Sequence, residues 1–394
     1  MTSLPLPAAV PEDIGLSTAR LARLGRVLTS EIDRGRVPGA VALVARRGRL
    51  GYFESFGKRE AGGGPPMTKD AIFRIYSMTK PVTSVAAMML WEEGRFLLSD
   101  RIGQYIPELA DLKVAVRDGA ELKLVPMERA ITIQDLLRHT SGLTYEFRGP
   151  GPVQKMYMAA KISSRTQSSA EQVASLGKLP LLDQPGTRWE YGRSTDVVGR
   201  LVEVLSGLRL GAFFERHILG PLGMVDTGFH VPPQHHSRLA EAFPVDPDSG
   251  ASVQLQNVRD PPNFESGGGG LVSTAADYAR FLQMLANGGT FGGHRLLSRK
   301  TIELMTADHL GPMTGAPDLL LPGHGFGLGF AVRLQAGIAQ PGSLGQYFWG
   351  GLAGTAFWVD PAEQLFAVLL IQAPGQRDYY RTLFRDLVYA AIDD

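Results

Sequence analysis

Strand-forming runs lie at the two ends of this chain, and helical patterns fill the stretch between them. Near the start, Val41 to Ala45 and Leu50 to Phe53 are β-prone runs separated by a short stretch that includes Arg46, Arg47 and Gly48, which predicts a hairpin. The end of the chain carries three more predicted strands: Phe326 to Leu334, Thr355 to Val359 and Leu365 to Ile371. A sheet built from these runs must therefore draw on both ends of the sequence.

Amphipathic helices accompany both groups of strands. Apolar residues recur at helical spacing between Ser17, a candidate N-cap, and Gly35, a candidate stop. A second apolar face covers Tyr380 to Val388. Between the two ends, four stretches have helical patterns: Ala130 to Arg138, Ala170 to Leu176, Asp196 to Leu205 and Gly211 to His217.

These patterns predict an α/β (α+β) fold with an antiparallel sheet, N- and C-terminal flanking helices and a mostly helical inserted domain. We expect residues 1–80 and 265–394 to form a discontinuous α/β domain and residues 81–264 to form the helical domain. The active site is expected between the two domains.

Composition excludes several classes of protein. The 394 residues include 40 Lys and Arg against 39 Asp and Glu, so no strong field favours nucleic acid. There is no cysteine, which excludes disulfides, thiolate metal sites and cysteine nucleophiles. The first residues carry no basic segment, and no apolar run is long enough to span a membrane. We expect a cytoplasmic protein with no nucleic-acid or membrane partner.

The pattern S-x-x-K occurs three times, and context separates the three copies. Ser55 to Lys58 closes a predicted strand, and Ser175 to Lys178 ends a helix at a glycine. Ser77 to Lys80 precedes Pro81, which a first helical turn tolerates, and then apolar residues at helical spacing. Ser77 is therefore predicted at the start of a buried helix, with Lys80 on the same face.

This placement suits nucleophilic catalysis. A serine hydroxyl needs a base within hydrogen-bond reach, which Lys80 supplies, and a helix N-terminus offers free N–H groups to a developing oxyanion. The alternative is that Ser77 is an ordinary N-cap and Lys80 a solvated side chain.

Five segments stand out in order along the chain: FRIYSMTKP (73–81), ITIQDLLRHTSGL (131–143), PGTRWEY (185–191), GGGGLVSTA (267–275) and WGG (349–351). Together they resemble segments of the serine β-lactamases and penicillin-binding proteins, and specifically of class C β-lactamases and family VIII carboxylesterases. The resemblance implies that Ser77 is the nucleophile and that Tyr191 joins Lys80 as the base, with the location of their shared proton left open. It also implies an oxyanion hole formed by the N–H groups of Ser77 and Leu352.

The third family segment bears on specificity. Relatives that recognise β-lactams carry K-T-G where this chain has Trp349, Gly350 and Gly351. An indole cannot replace the lysine charge but offers an apolar wall and one N–H donor, and the glycines allow close backbone approach. These three residues are expected to bind an uncharged ester, unless Trp349 is simply a core tryptophan. Tyr145 is a candidate pocket wall.

One departure from the β-lactamase pattern concerns the residue two after the tyrosine. The pattern has asparagine there, whereas this chain has Arg193. Arg193 either binds an acidic substrate, which would preserve weak β-lactam hydrolysis, or forms an ordinary surface ion pair, the alternative we favour. His139 is expected at a helix end, where an imidazole commonly satisfies terminal carbonyls, and His235 and His236 lie in a predicted loop with no carboxylate at ligand spacing. We therefore expect no metal and no cofactor.

The predicted function is that of a serine carboxylesterase that hydrolyses small acyl esters, its small-molecule partners, through an acyl-enzyme on Ser77. The same scaffold leaves a β-lactamase, a D-amino peptidase or an acyltransferase as alternatives. A catalytically silent binding or scaffold protein is a more remote one.

Overall fold

The computed structural model describes residues 4–60, 62–119, 121–313 and 319–394. The strands in this part of the chain are β1 (Gly39–Arg46), β2 (Arg49–Gly57), β3 (Phe73–Arg74), β4 (Lys113–Asp118), β5 (Glu121–Pro126), β6 (Val272–Ser273), β7 (Thr290–Phe291), β8 (His294–Arg295), β9 (His324–Phe326), β10 (Ala331–Arg333), β11 (Tyr347–Gly350), β12 (Ala356–Asp360) and β13 (Leu365–Ile371).

Helices cover both ends of the chain and most of its middle. The α-helices in the described residues are α1 (Thr18–Asp33), α2 (Thr79–Glu92), α3 (Ile133–Leu137), α4 (Pro152–Ala159), α5 (Ser169–Leu176), α6 (Ser194–Ser206), α7 (Leu210–Phe214), α8 (Gly220–Leu222), α9 (Ala275–Ala286), α10 (Arg299–Met305) and α11 (Arg377–Tyr389). A π-helical turn, Glu215–Leu219, joins α7 to α8.

The main sheet has seven antiparallel strands in the order β2-β1-β13-β12-β11-β10-β9. Strand β1, near the start of the chain, pairs with β13, near its end, with Ala40 opposite Ile371 and Arg46 opposite Leu365. All seven strands come from residues 39–57 and 324–371, as expected for a sheet assembled from both ends.

The centre of the sheet is buried on both faces. Ala40, Ala42 and Val44 of β1 pack in one apolar cluster with residues of α1 and α11. Val41 and Leu43, which point to the opposite face, belong to the larger cluster that contains α2, α6 and α9. Burying each large aliphatic side chain stabilises the fold by about 1.5–3 kcal/mol. The fold class predicted from the sequence, a mixed fold with an antiparallel sheet and flanking helices, is confirmed.

One local prediction is wrong, and one element was not predicted. The predicted strand Phe326 to Leu334 is two strands, β9 and β10, because the chain turns between them at Gly329, whose φ is +104°. A Cβ on Gly329 would lie 2.4 Å from the Ser84 hydroxyl of α2, so the turn packs tightly on that helix. The inserted stretch 81–264 also contains the β4–β5 hairpin, which the sequence analysis missed.

Within the described residues, no helix is both long and apolar enough to cross a membrane.

Candidate active site

Ser77 lies where a short strand pair meets a buried helix. Strand β3 pairs with β6, and the next N–H, of Ile75, donates to the Leu271 carbonyl over 3.1 Å. A single 3₁₀ turn, Tyr76–Met78, then leads into α2. Tyr76 has φ +43°, a left-handed conformation uncommon for a residue with a side chain. The sharp bend leaves Ser77 partly exposed at the start of a helix whose next residues are buried.

Lys80 is fully buried beneath Ser77. Its Nζ lies 3.3 Å from Ser77 Oγ, 3.0 Å from Tyr145 Oη and 2.6 Å from the Gly268 carbonyl oxygen. The lysines of the other two S-x-x-K copies, Lys58 and Lys178, are exposed. Burial therefore distinguishes the three copies in the way the sequence context predicts.

Burial also changes the acidity of Lys80. Desolvation lowers its pKa to about 7, because an apolar environment penalises the ammonium form. The Asp196 carboxylate opposes this shift, and the Arg193 guanidinium adds to it. A lysine with this pKa is substantially neutral near pH 7 and is able to accept a proton.

Tyr191 is buried in an aromatic cluster above Lys80. The Lys80 Nζ lies 4.4 Å from the centroid of its ring, and the His139 ring packs against it at 4.9 Å. Burial raises the pKa of Tyr191, while hydrogen bonding to Ser77 and Trp349 partly offsets this. The phenol therefore stays protonated at neutral pH, where a substantial fraction of Lys80 is neutral.

Trp349 belongs to the same aromatic cluster and comes from the main sheet. It lies on β11, and its indole Nε1 donates to Tyr191 Oη over 3.0 Å. It also contacts Trp189 and Phe326 edge to face, with ring centroids at 6.5 and 5.3 Å. Trp349 therefore packs within the aromatic cluster and donates the hydrogen bond that Tyr191 accepts.

The two glycines after Trp349 lie against other backbone and side-chain atoms. A Cβ on Gly351 would lie 2.4 Å from the Ile75 carbonyl oxygen, just ahead of Ser77. One on Gly350 would lie 2.6 Å from the Arg381 guanidinium of α11, which donates to the Gly351 carbonyl. The Leu352 side chain is exposed, and we find no partner for its N–H in the described part of the chain.

Tyr145 and Arg193 lie below the surface, beside Lys80. The buried Tyr145 ring carries the hydroxyl that Lys80 Nζ contacts. Arg193 forms ion pairs with Asp196 at 3.1 Å and Glu146 at 2.6 Å. Both terminal nitrogens of Arg193 are thus engaged by carboxylates, which supports the ion-pair alternative, although this pair is buried and not at the surface.

Sequence reasoning missed several groups of this site. The Gly268 carbonyl contacts Lys80 Nζ, and the Gly268 N–H donates to Asp196 Oδ1 over 2.9 Å. The glycine run 267–270 indicated an unusual backbone segment, but nothing in it indicated that a carbonyl there would accept a hydrogen bond from Lys80. Asp196 and Arg381 occupy ordinary helical positions in the sequence and gave no signal.

The histidines take no part in a metal site that the structure describes. His139 is buried, with Nε2 3.3 Å from the Thr195 hydroxyl. No cluster of three or more His, Asp or Glu side chains able to hold a metal occurs in the described ranges. A separate cavity of about 410 Å³ is lined by residues that include Phe214, Phe229 and Val272, and none of Ser77, Lys80 and Tyr191 lines it.

Comparison with known proteins places this chain in a family. The sequence model of the Beta-lactamase family matches residues 24–390. Protein Rv1367c of Mycobacterium tuberculosis is 39% identical over 355 residues, which cover 86% of this chain and 87% of that protein. Esterase EstB of Burkholderia gladioli is 32% identical over 403 residues, covering 96% and 98%.

The structure of EstCE1, described as a hydrolase with promiscuous acyltransferase activity, superposes with a TM-score of 0.78 at 27% identity, covering 94% of this chain and 98% of that one. These likenesses identify the scaffold as that of a serine hydrolase or acyltransferase. The chain belongs to the serine β-lactamase family and lies close to its family VIII esterases.

Proposed function

We propose that this protein is a serine carboxylesterase that hydrolyses small acyl esters through an acyl-enzyme on Ser77. The observation that carries the proposal is the position of the Lys80 amine, which is buried and 3.3 Å from Ser77 Oγ. A neutral amine has two hydrogens and one lone pair. The Gly268 carbonyl and Tyr145 Oη accept the two hydrogens, so the lone pair is left for the Ser77 hydroxyl.

Acylation follows from this arrangement. As Ser77 Oγ attacks the ester carbonyl carbon, its proton passes to Lys80 Nζ and the carbonyl oxygen becomes an oxyanion. The N–H groups of Ser77 and Leu352 are proposed to stabilise that oxyanion. The bond to the alcohol then breaks, the leaving alkoxide takes the Tyr191 phenol proton, and the Lys80 ammonium returns a proton to Tyr191.

Deacylation reverses the proton path. Water gives a proton to Lys80 as its oxygen adds to the acyl carbon, and Ser77 Oγ leaves with that proton. Lys80 and Tyr191 thus share the acid–base work, with the lysine as the base. The low pKa of Lys80 and the raised pKa of Tyr191 support this division.

The side chains expected to line the substrate pocket favour an uncharged acyl group. Trp349 takes the place of the family's carboxylate-binding lysine, and Arg193 is engaged with Asp196 and Glu146. The rings of Tyr145 and Phe147 stack at 4.8 Å, and Phe147 is exposed. These residues supply aromatic surface and no unpaired cation, which supports esters over carboxylate-bearing β-lactams as substrates.

Acyl transfer to an alcohol is the second candidate. It is favoured by the likeness to EstCE1, whose description includes promiscuous acyltransferase activity. An acyl-enzyme is common to both reactions, and the acceptor decides between them. Measuring the ratio of transester to free acid as a small alcohol is added distinguishes a transferase from a hydrolase.

The experiment that tests the proposal compares serines of the same local pattern. Hydrolysis of short-chain nitrophenyl esters is measured for the wild type, Ser77→Ala and the controls Ser55→Ala and Ser175→Ala. We expect the Ser77 variant to lose at least about 10³-fold in kcat/KM, as nucleophile removal does elsewhere, with the controls unchanged. Full activity in Ser77→Ala would contradict the proposal.

A further inference from the structure

The Arg193 guanidinium is connected to Lys80 indirectly, through two separate sets of contacts. It lies over the Tyr145 ring, with Cζ 4.8 Å from the ring centroid, and the hydroxyl of that ring contacts Lys80 Nζ. It also pairs with Asp196 Oδ2, while Asp196 Oδ1 accepts from the N–H of Gly268, whose carbonyl contacts Lys80. Both hydrogens of a neutral Lys80 are therefore directed by groups that Arg193 holds.

The charged groups around Lys80 affect whether its amine is protonated. Six titratable or charged groups either lie around Lys80 or pair with Arg193. They are His139, Tyr145, Glu146, Tyr191, Arg193 and Asp196. Of these, Asp196 and Glu146 are carboxylates that favour an ammonium, and Arg193 pairs with both.

We propose that Arg193 is a positioning residue that keeps Lys80 neutral, and hence able to act as a base, by compensating Asp196 and Glu146 and by fixing Tyr145. This inference rests on the proposed function, since it concerns the base that activates Ser77. It gives Arg193 a role inside the protein and not in substrate recognition. Arg193 touches neither Ser77 nor Lys80 directly, so it acts through Asp196, Gly268 and Tyr145.

The proposal predicts opposite effects for two substitutions. Arg193→Gln leaves two carboxylates uncompensated, so the Lys80 ammonium is stabilised and more alkaline conditions are needed to form the base. Asp196→Asn keeps the acceptor for the Gly268 N–H but removes a negative charge, so the base forms at lower pH. If the ion pair has only a structural role, both variants should lose activity, and the pH at which the base forms should not shift in opposite directions.

The rate at which a fluorophosphonate labels Ser77, followed by intact-mass spectrometry across a pH series, measures base formation without knowledge of the natural ester. The wild-type rate is expected to rise with a midpoint near pH 7, the pKa of Lys80. Arg193→Gln is expected to move the midpoint up by about one pH unit. Labelling below the wild-type midpoint then slows about tenfold.

Two further variants serve as controls. Arg193→Lys keeps a positive charge at the same place, and its midpoint is expected to stay near that of the wild type. Arg200 pairs with Glu203 at the same i,i+3 spacing two turns further along α6, at 3.1 Å. Arg200→Gln is therefore a matched control, and we expect it to leave the midpoint unchanged.

The outcomes separate the inference from the proposed function. An unchanged midpoint in Arg193→Gln, or shifts of the same sign in Arg193→Gln and Asp196→Asn, would overturn the inference while Ser77 labelling still supported the hydrolase. If Arg193→Gln does not fold, Asp196→Asn decides alone, since only a lower midpoint supports the proposal. A wild-type protein that is not labelled at Ser77 would overturn both.

Discussion

The indole N–H of Trp349 donates to the phenol oxygen of Tyr191 over 3.0 Å, across 158 positions of sequence. Trp349 lies on β11 of the main sheet, and Tyr191 lies in the loop that precedes α6. This contact ties the sheet side of the site to its helical side. It also fixes the phenol beside Ser77, whose hydrogen bond helps to lower the raised pKa of Tyr191.

Replacing Trp349 with phenylalanine is expected to keep the apolar wall and remove this donor. Because Tyr191 then loses its partner, we expect Trp349→Phe to lower kcat for a nitrophenyl ester by about tenfold, the effect of roughly 1.4 kcal/mol. Trp358→Phe is the matched control, since the Trp358 indole N–H is buried with no partner among the described residues. Equal kinetics in the two variants would show that the Trp349–Tyr191 bond has no catalytic role.

Removing the Tyr191 hydroxyl tests the proton donor directly. If Tyr191 protonates the leaving alkoxide, Tyr191→Phe is expected to lower kcat by about 10²–10⁴-fold with a smaller change in KM. Tyr157→Phe removes another buried hydroxyl, one that donates to the Pro180 carbonyl, and is expected to keep full activity. Steady-state kinetics with a short-chain ester measure both, and a Tyr191→Phe enzyme within twofold of wild type is incompatible with this role.

The pKa of Lys80 predicts a pH dependence of stability. It falls from 10.5 to about 7 on folding, so between these values the unfolded chain binds a proton that the folded protein does not. The free energy of unfolding of the wild type should therefore rise with pH, relative to Lys80→Met, by up to about 1.4 kcal/mol per pH unit. Urea unfolding of both proteins at several pH values measures the difference in free energy of unfolding, and a difference that stays constant or falls as pH rises from 7 to 10 would contradict the prediction.

A methyl group on Gly351 tests the close approach of the residue after β11 to the segment that carries Ser77. Its Cβ would meet the Ile75 carbonyl oxygen at 2.4 Å and the Thr355 hydroxyl at 2.3 Å, so the backbone must shift. We expect Gly351→Ala to lower kcat by at least about tenfold, because the proposed oxyanion donors move relative to Ser77. At Gly228 a Cβ would meet only the His230 carbonyl at 3.8 Å, so Gly228→Ala is the control expected to stay active.

The pairing of Ser77 with Lys80 was predictable from sequence because it is local. Residues three apart at the start of a helix share a face, and the buried apolar pattern after Pro81 distinguished this copy of S-x-x-K from the other two. Helix α1 was predicted for the same kind of reason, and the structure confirms Ser17 as its N-cap.

Groups brought in by tertiary structure were not predictable in this way. Tyr191 and Trp349 entered only through the family resemblance, since no periodicity links them to Ser77. The Gly268 carbonyl contacts Lys80 Nζ, and the Asp196 carboxylate accepts from the Gly268 N–H. Both residues are distant from Lys80 in sequence, and their local patterns are those of ordinary loops and helices. The turn at Gly329 was missed because β9 and β10 together have the apolar pattern of one strand.

The proposed chemistry depends most on the reactivity of the Ser77 hydroxyl, and covalent labelling tests this reactivity most directly. The wild-type protein is treated with a fluorophosphonate, its intact mass is measured, and the modified residue is identified by peptide mass spectrometry. We expect one adduct, located on Ser77, that is absent in Ser77→Ala and much slower to form in Lys80→Met. No adduct, or an adduct on another serine with Ser77 unmodified, would contradict the proposed chemistry.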